Sequence, residues 1–288
     1  MNKPMTLDPA MRRGRGQAIG AARRSVSAGE RDSDDGLNRS VARALEVLLA
    51  IARSDRPMSF IDLQKEQNVP KATLHKLLST LEALNFVRRD AESAKYTIGV
   101  AAHEVSASGS TRPGDLRSVL DPILHKLVEE WNETLHLCVY DEGEEIILDR
   151  LDPAFQMVRL ATGIGRRHPA YATSGGLAAL ATLEDEAALR SLPATLRTMT
   201  ANTVKTHEEL RARLRVVREM GYAVDMEEAY IGVRCVGIAV PVSGWPLVTV
   251  SFSLPLQRAE EPRMHALAKP LLIAAEEIKR ALITARPR

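Results

Sequence analysis

Leu74, Leu77, Leu78, Leu81 and Leu84 fall on one face of a 3.6-residue period, the clearest repeat in the chain. That period predicts a helix from about Pro70 to Leu84, with Pro70 at the position a helix favours for its first residue. Its start has no good capping side chain, since Val69 is a poor cap. Upstream, Leu45, Leu48, Leu49 and Ala52 recur at i, i+3, i+4 and i+7, a second amphipathic helix that Arg56-Pro57 stops. Ser59 with Asp62 three residues on is a capping-box-like start for a short helix to Gln67, and Asn68-Val69 makes a tight connection. After Asn85, Phe86–Arg89 and Lys95–Ile98 flank a polar turn, Asp90–Ala94, and predict a short hairpin. Helix, short helix, tight turn, long helix, hairpin is the order of a winged helix-turn-helix, here over residues 37–99.

Such a module reads DNA by laying the second helix of its motif in the major groove, where the N-terminal residues of that helix meet base edges. With the leucine face turned inward, Lys71, Ala72, Thr73, His75, Lys76 and Ser79 are available on the other side. Lysines neutralise phosphates or reach guanine, short hydroxyls donate or accept, and an alanine methyl meets the thymine methyl. The helix N-terminus adds its own attraction for a phosphate. In the hairpin, Arg88, Arg89 and Lys95 are placed for backbone or minor-groove contact. The alternative is a basic face that only solvates a three-helix domain.

Charge distribution agrees with a polyanion-binding front half. Residues 1–105 hold 17 Lys and Arg against 13 Asp and Glu, and the remainder holds 22 against 24. Residues 1–36, rich in Gly, Arg, Ser and Asp and without apolar period, are expected to be a disordered basic tail. Residues 100–115 are expected to be an interdomain linker, and 116–288 a second domain. There, Leu116, Leu120, Ile123, Leu127 and Trp131 mark a helix, and Leu135, Leu137 and Val139 alternate before a turn at Glu142-Gly143. Ile146–Leu151, Gln156–Leu160, Val233–Val240 and Leu247–Leu254 are strand candidates, the last two joined by Ser243-Gly244-Trp245-Pro246. Thr206 with Glu209 opens a helix that Gly221 closes, and an amphipathic helix ends near Ile283. The fold class is α+β, with a largely antiparallel sheet.

No run approaches the roughly 20 apolar residues of a membrane span, and no cleavable signal peptide is expected. Two cysteines about a hundred residues apart, Cys138 and Cys235, make no disulfide framework, which favours a reducing cytoplasm.

Several motifs together resemble the IclR-type regulators. These are Arg39-Ser40-Val41-Ala42-Arg43-Ala44-Leu45 and Pro70-Lys71-Ala72-Thr73-Leu74-His75-Lys76-Leu77-Leu78 in the first domain. The second contributes Arg167-His168-Pro169-Ala170-Tyr171-Ala172-Thr173 with the following glycine pair, Thr203 within Thr198–Val204, Gly221-Tyr222-Ala223-Val224-Asp225, Glu227-Glu228 and Gly232-Val233-Arg234-Cys235. The likeness spans roughly residues 38–283. It implies a GAF-like effector domain for a small, often carboxylated metabolite, and a homodimer or dimer of dimers on a partly palindromic operator. Carried over residue by residue, it implies an effector pocket at Ser174, Gly175, Asp225, Cys235, Ser251 and Ser253, with apolar wall from Met157, Leu160 and Val233. Independently, a Ser174-Gly175-Gly176 loop opening a helix can offer N–H groups to an anion. Ser251 and Ser253, two apart on a strand, point to one face. The alternative is that the glycines serve tight packing and the serines are ordinary strand residues. Tyr171 and Leu177 depart from the family's His and Lys. They suggest an aromatic wall or phenol donor, a lost cation that Arg166, Arg167 or His168 restores, and a larger or aromatic acid as effector.

Neither a cofactor nor a metal is expected, since the seven histidines and two cysteines show no paired ligand spacing. An enzyme acting on a small metabolite through the second-domain pocket is the alternative function. Against it, Thr173-Ser174-Gly175 does not fit the G-x-S-x-G nucleophile elbow, and a lone cysteine such as Cys235 is most often a small buried hydrophobe. An architectural or RNA-binding protein is a third reading, whose mark is salt-sensitive binding without sequence preference.

Overall fold

A computed structural model describes residues 38–54, 56–110, 116–154, 156 and 162–285. The tail over 1–36, most of the 156–160 strand candidate, and the wall residues Met157 and Leu160 lie outside the described residues.

The first module is helices α1 (Arg39–Arg53), α2 (Phe60–Gln67) and α3 (Lys71–Ala83), then a hairpin of β1 (Val87–Arg89) and β2 (Tyr96–Ile98). The Asn38 side chain caps α1 by accepting from the Ser40 and Val41 N–H groups at 3.1 and 3.3 Å. At α2 the reciprocal box forms: Ser59 Oγ accepts from Asp62 N–H and Asp62 Oδ2 from Ser59 N–H, both at 3.2 Å. Asn68 then turns left-handed (φ 49°), which lets α3 start three residues later. Pro70 is the residue before α3, one position earlier than the sequence suggests, and the helix start has no side-chain cap.

The core of this module buries Leu74, Leu77, Leu78 and Leu81, while Leu84, at the end of the leucine period, is 59% exposed. On α1 the inward face differs from the predicted one. Val47, Ala50 and Ile51 are buried, whereas Val41, Leu45 and Leu49 are about half exposed. Counting leucines alone rotated the helix; the β-branched and small residues are the ones that enter the core. The expected linker begins as a helix, α4 (Val100–Ser110).

The second module is one six-stranded antiparallel sheet in the order β5-β4-β3-β8-β7-β6. Its strands are β3 (Thr134–Asp141), β4 (Glu144–Leu151), β5 (Arg167–Pro169), β6 (Ala223–Met226), β7 (Val233–Val240) and β8 (Leu247–Pro255). The helices are α5 (Leu116–Trp131), α6 (Ser174–Ala181), α7 (Asp185–Arg190), α8 (His207–Met220) and α9 (Glu261–Thr284). Because side chains alternate across a strand, register sorts the sheet into two unlike faces. Leu135, Leu137 and Val139 on β3, Val248, Val250, Phe252 and Leu254 on β8, and Val236, Ile238 and Val240 on β7 form one apolar face, packed with α5 and α9 in one core. The opposite face carries polar residues and receives α6. A second core joins α6, α7 and α8. The fully buried Glu133, just before β3, binds Arg258 at 2.9 Å and Arg263 at 2.8 Å. No helix among the described residues is long and apolar enough to cross a membrane.

Candidate functional site

On α3, Lys71, Ala72, His75, Lys76 and Ser79 are all exposed, and Thr73 is half-buried. They surround the solvent side of a helix whose other side is fixed by four buried leucines, so the basic face is rigidly presented. His75 is not free-standing: its ring stacks on Phe60 of α2, with centroids 4.3 Å apart. In the hairpin, Arg88, Arg89 and Lys95 are exposed. The Arg89 guanidinium lies 5.8 Å from the ring centre of Tyr96, itself buried and paired by backbone with Met58. The wing is thereby tied to the segment before α2.

The polar face of the sheet brings together most of the second set. In register across four strands lie Asp225, Cys235, Ser253 and Thr134; the next row is Ala223, Gly237, Ser251 and His136. Cys235 Sγ is 3.1 Å from Ser253 Oγ. Ser253 Oγ is 3.0 Å from His136 Nδ1, and His136 Nε2 is 2.6 Å from Thr162 Oγ1. A continuous hydrogen-bonded chain therefore crosses β7, β8 and β3. Asp225 Oδ1 accepts from the Glu228 N–H at 2.6 Å. Val233 stands half-buried at the end of the same face.

Burial sets the charge of these groups. It pushes the Asp225 carboxyl well above the usual carboxylate range, with nearby Glu228 adding to the effect. It likewise raises the Cys235 thiol, with Asp225 the next cause, and so works against a thiolate nucleophile. His136 is pushed down to about 4 by burial and then by Arg150, which leaves it a neutral donor and acceptor at pH 7.

Ser174 and Gly175 open α6 directly over this sheet. A Cβ at Gly237 would come within 2.8 Å of the Gly175 nitrogen and 2.9 Å of Ser174 Oγ, so a glycine in β7 lets the helix end sit flush. Gly176 N–H is taken by the Thr173 hydroxyl, the helix cap, at 3.1 Å. Two further residues of this face, His136 and Glu145, were not singled out by the sequence. Glu145 is a fully enclosed carboxylate under α6, whose Oε1 accepts from Thr249 Oγ1 at 2.6 Å. A signal for His136 does exist: Thr134, His136 and Cys138 are the polar half of the alternation whose leucines mark β3.

Tyr171 and Leu177 are not pocket residues. Both are buried in the α6–α8 core, and the Tyr171 hydroxyl is engaged by the Arg197 backbone, donating to its carbonyl at 3.1 Å and accepting from its N–H at 2.9 Å. The aromatic wall and phenol donor expected there are thus occupied by packing. Arg167 is bound by Glu144 and Asp141 at 2.8 and 2.9 Å. His168 is buried and pushed to about 4 by that burial, so neither supplies a spare cation.

A winged helix-turn-helix followed by an α+β module with one polar sheet face defines a DNA-binding regulator class. Comparison with known proteins gives the family. Residues 40–91 match the model of the IclR helix-turn-helix domain, and residues 109–280 that of the bacterial transcriptional regulator IclR C-terminal domain. The chain is 30% identical over 244 residues to the transcriptional repressor IclR of Escherichia coli K12, covering 83% of this chain and 88% of that protein. It is 30% identical over 243 residues to the regulator KdgR of Dickeya chrysanthemi, covering 83% and 78%. In fold it is similar to an IclR-type regulator from Alicyclobacillus acidocaldarius, at TM-score 0.78 and 24% identity over 86% of this chain and 100% of that one. It is also similar to an IclR homologue from Microbacterium hydrocarbonoxydans solved with 4-hydroxybenzoate, at TM-score 0.70 and 24% identity over 85% and 99%. The chain belongs to the IclR family and is a DNA-binding transcription regulator.

Proposed function

We propose that the protein grips operator DNA through Lys71, Ala72, Thr73, His75, Lys76 and Ser79 on α3 and Arg88, Arg89 and Lys95 on the wing. A small organic acid on the polar sheet face sets its affinity for that DNA. The observation that carries the sensing half is the hydrogen-bonded row Cys235–Ser253–His136, buried opposite an apolar face that shares the same strands. Ser251, Ser253 and Cys235 supply hydroxyl and thiol donors, Asp225 supplies a further polar group beside them, and the opening N–H groups of α6 at Ser174 and Gly175 favour an acid's negative end. Val233 provides apolar wall. The 4-hydroxybenzoate bound to the Microbacterium homologue supports a small acid of this kind.

The regulator works in the cytoplasm as a homodimer or dimer of dimers. Support for self-association comes from Val41, Leu45 and Leu49, an exposed apolar stripe at i, i+4 and i+8 along α1. Paired helix-turn-helix modules meet half-sites about 34 Å apart. Ligand is bound and released unchanged rather than turned over, as suits a raised Cys235 thiol and a neutral His136. Linkage requires unequal effector affinity for the free and DNA-bound forms.

The test is operator binding by the full chain, titrated with candidate acids from the neighbouring genes' chemistry. The acid that shifts DNA affinity in the wild type should lose its effect in Ser253→Ala, with affinity for DNA unchanged when no acid is present. Equal acid response in both proteins would remove the polar face from sensing.

A further inference from the structure

The polar face is not uniform. Its Asp225–His136 end carries the row described above, while its other half, beneath α6, is filled by one side chain of the protein itself. Glu145 rises from β4 next to Cys138 and Thr249 and is 4% exposed. Its carboxylate accepts from the Thr249 hydroxyl at 2.6 Å and lies close to the Thr173 hydroxyl, the Cys138 thiol and the start of α6, where the Gly176 N–H donates to Thr173 Oγ1 at 3.1 Å. These polar groups come from β8, β3 and the start of α6 and surround one carboxylate. Gly175 is what makes room. A Cβ there would overlap Glu145 Oε1 and stand 2.9 Å from Thr249 Oγ1, so any other residue at 175 expels this carboxylate. Burial raises the acid, and the surrounding donors pull it back.

We infer that Glu145 is a specificity-determining residue: a carboxylate supplied by the chain itself occupies the inner part of the polar face and confines effectors to the Asp225–His136 end. The inference rests on the polar face being the sensing site. Filled in this way, the inner part neither accepts a second acidic group nor admits a longer acid lying along the sheet. Removing the side chain leaves a space the size of a short carboxylate, lined by a Thr249 hydroxyl that has lost its acceptor, which is the condition for rescue by an added anion.

The experiment uses the full-length protein and its Glu145→Ala and Glu145→Gln variants, with acetate as the probe and acetamide and chloride as controls. Thermal unfolding of Glu145→Ala should rise saturably with acetate and much less with acetamide. Wild type and Glu145→Gln, whose inner part stays filled, should show a clearly smaller rise, limited to what the Asp225–His136 end binds. Where Glu145→Ala does not fold unaided, acetate-dependent refolding is the equivalent reading. A Glu145→Ala protein indifferent to acetate, or a wild type that responds equally, overturns the occupied seat.

The selectivity claim is read separately, with linear monocarboxylates of increasing length. The longest acid that stabilises Glu145→Ala should exceed the longest that stabilises wild type, and an unchanged length limit overturns it. If Ser253→Ala leaves every acid response intact while acetate still rescues Glu145→Ala, the sensing reading fails and the carboxylate seat stands.

Discussion

The two faces of the six-stranded sheet are built from the same strands in alternation, yet they differ in almost every chemical respect. One presents Leu135, Leu137, Val250, Phe252, Val236 and Ile238 to α5 and α9, each at most 1% exposed. The other presents His136, Cys138, Thr249, Ser251, Ser253, Cys235, Asp225 and Glu145, equally enclosed for the most part but predominantly polar. Burial therefore does not separate core from site in this protein; hydrogen-bonding chemistry does. The apolar face supplies stability, and the polar face holds groups that are costly to bury and are satisfied there by one another. The first module repeats the division on a smaller scale, with leucines on one side of α3 and lysines on the other.

Adjacent residues of β8 put that contrast under the greatest strain. Phe252→Ala is expected to cost about 3–5 kcal/mol in urea unfolding, the usual penalty for a large cavity in a packed core. Next in size is a pH effect at the rim of the polar face. Glu228, 6% exposed, has its acid pushed up to about 7 by burial, against the opposing pull of Arg213. Between about 4.5 and 7 the folded protein keeps a proton that the unfolded chain has released, so stability is lost as pH rises through that window and is flat above it. Relative to Glu228→Gln, the wild type should lose on the order of 3 kcal/mol across the window, at about 1.4 kcal/mol for each pH unit. His136 and His168, both near 4, act in the opposite sense from 6.5 downward, but they are common to both proteins and cancel in the difference.

Lys76→Ala should leave unfolding unchanged and weaken operator binding, by about 1–3 kcal/mol if the lysine meets a base, with a shallower salt dependence if it meets a phosphate. The smallest effect is expected at Ser251→Ala, within about 1 kcal/mol in stability. There the reading is the acid response of DNA binding, which should fall. A Ser251→Ala protein as destabilised as Phe252→Ala would abolish the distinction between the faces.

What the sequence disclosed follows the same division. The capping box at Ser59 and Asp62, the leucine face of α3, and the long strands Val233–Val240 and Leu247–Pro255 were legible because local propensity and period agree with the final packing. Helix α6 was legible only at its start, Ser174-Gly175-Gly176, because Ser174–Leu180 are buried on all sides and a helix buried all round has no amphipathic period. Glu145 was hidden by its position two residues after the turn glycine Gly143, where a charged residue ordinarily points to solvent. Only the pairing of β3 with both β4 and β8 brings Cys138 and Thr249 beside it. The departures at Tyr171 and Leu177 misled for a related reason: their place in a motif gives no indication that both turn into the α6–α8 core.

Sequence reading by α3 is tested most directly by selection of genomic DNA fragments, at near-physiological salt, with the purified protein and a Lys71→Ala/Lys76→Ala variant. The wild type should enrich a few sharp, partly palindromic sites, and the variant should lose them while remaining folded. Enrichment without any preferred site, or the same sites retained by the variant, would contradict a helix that reads base edges.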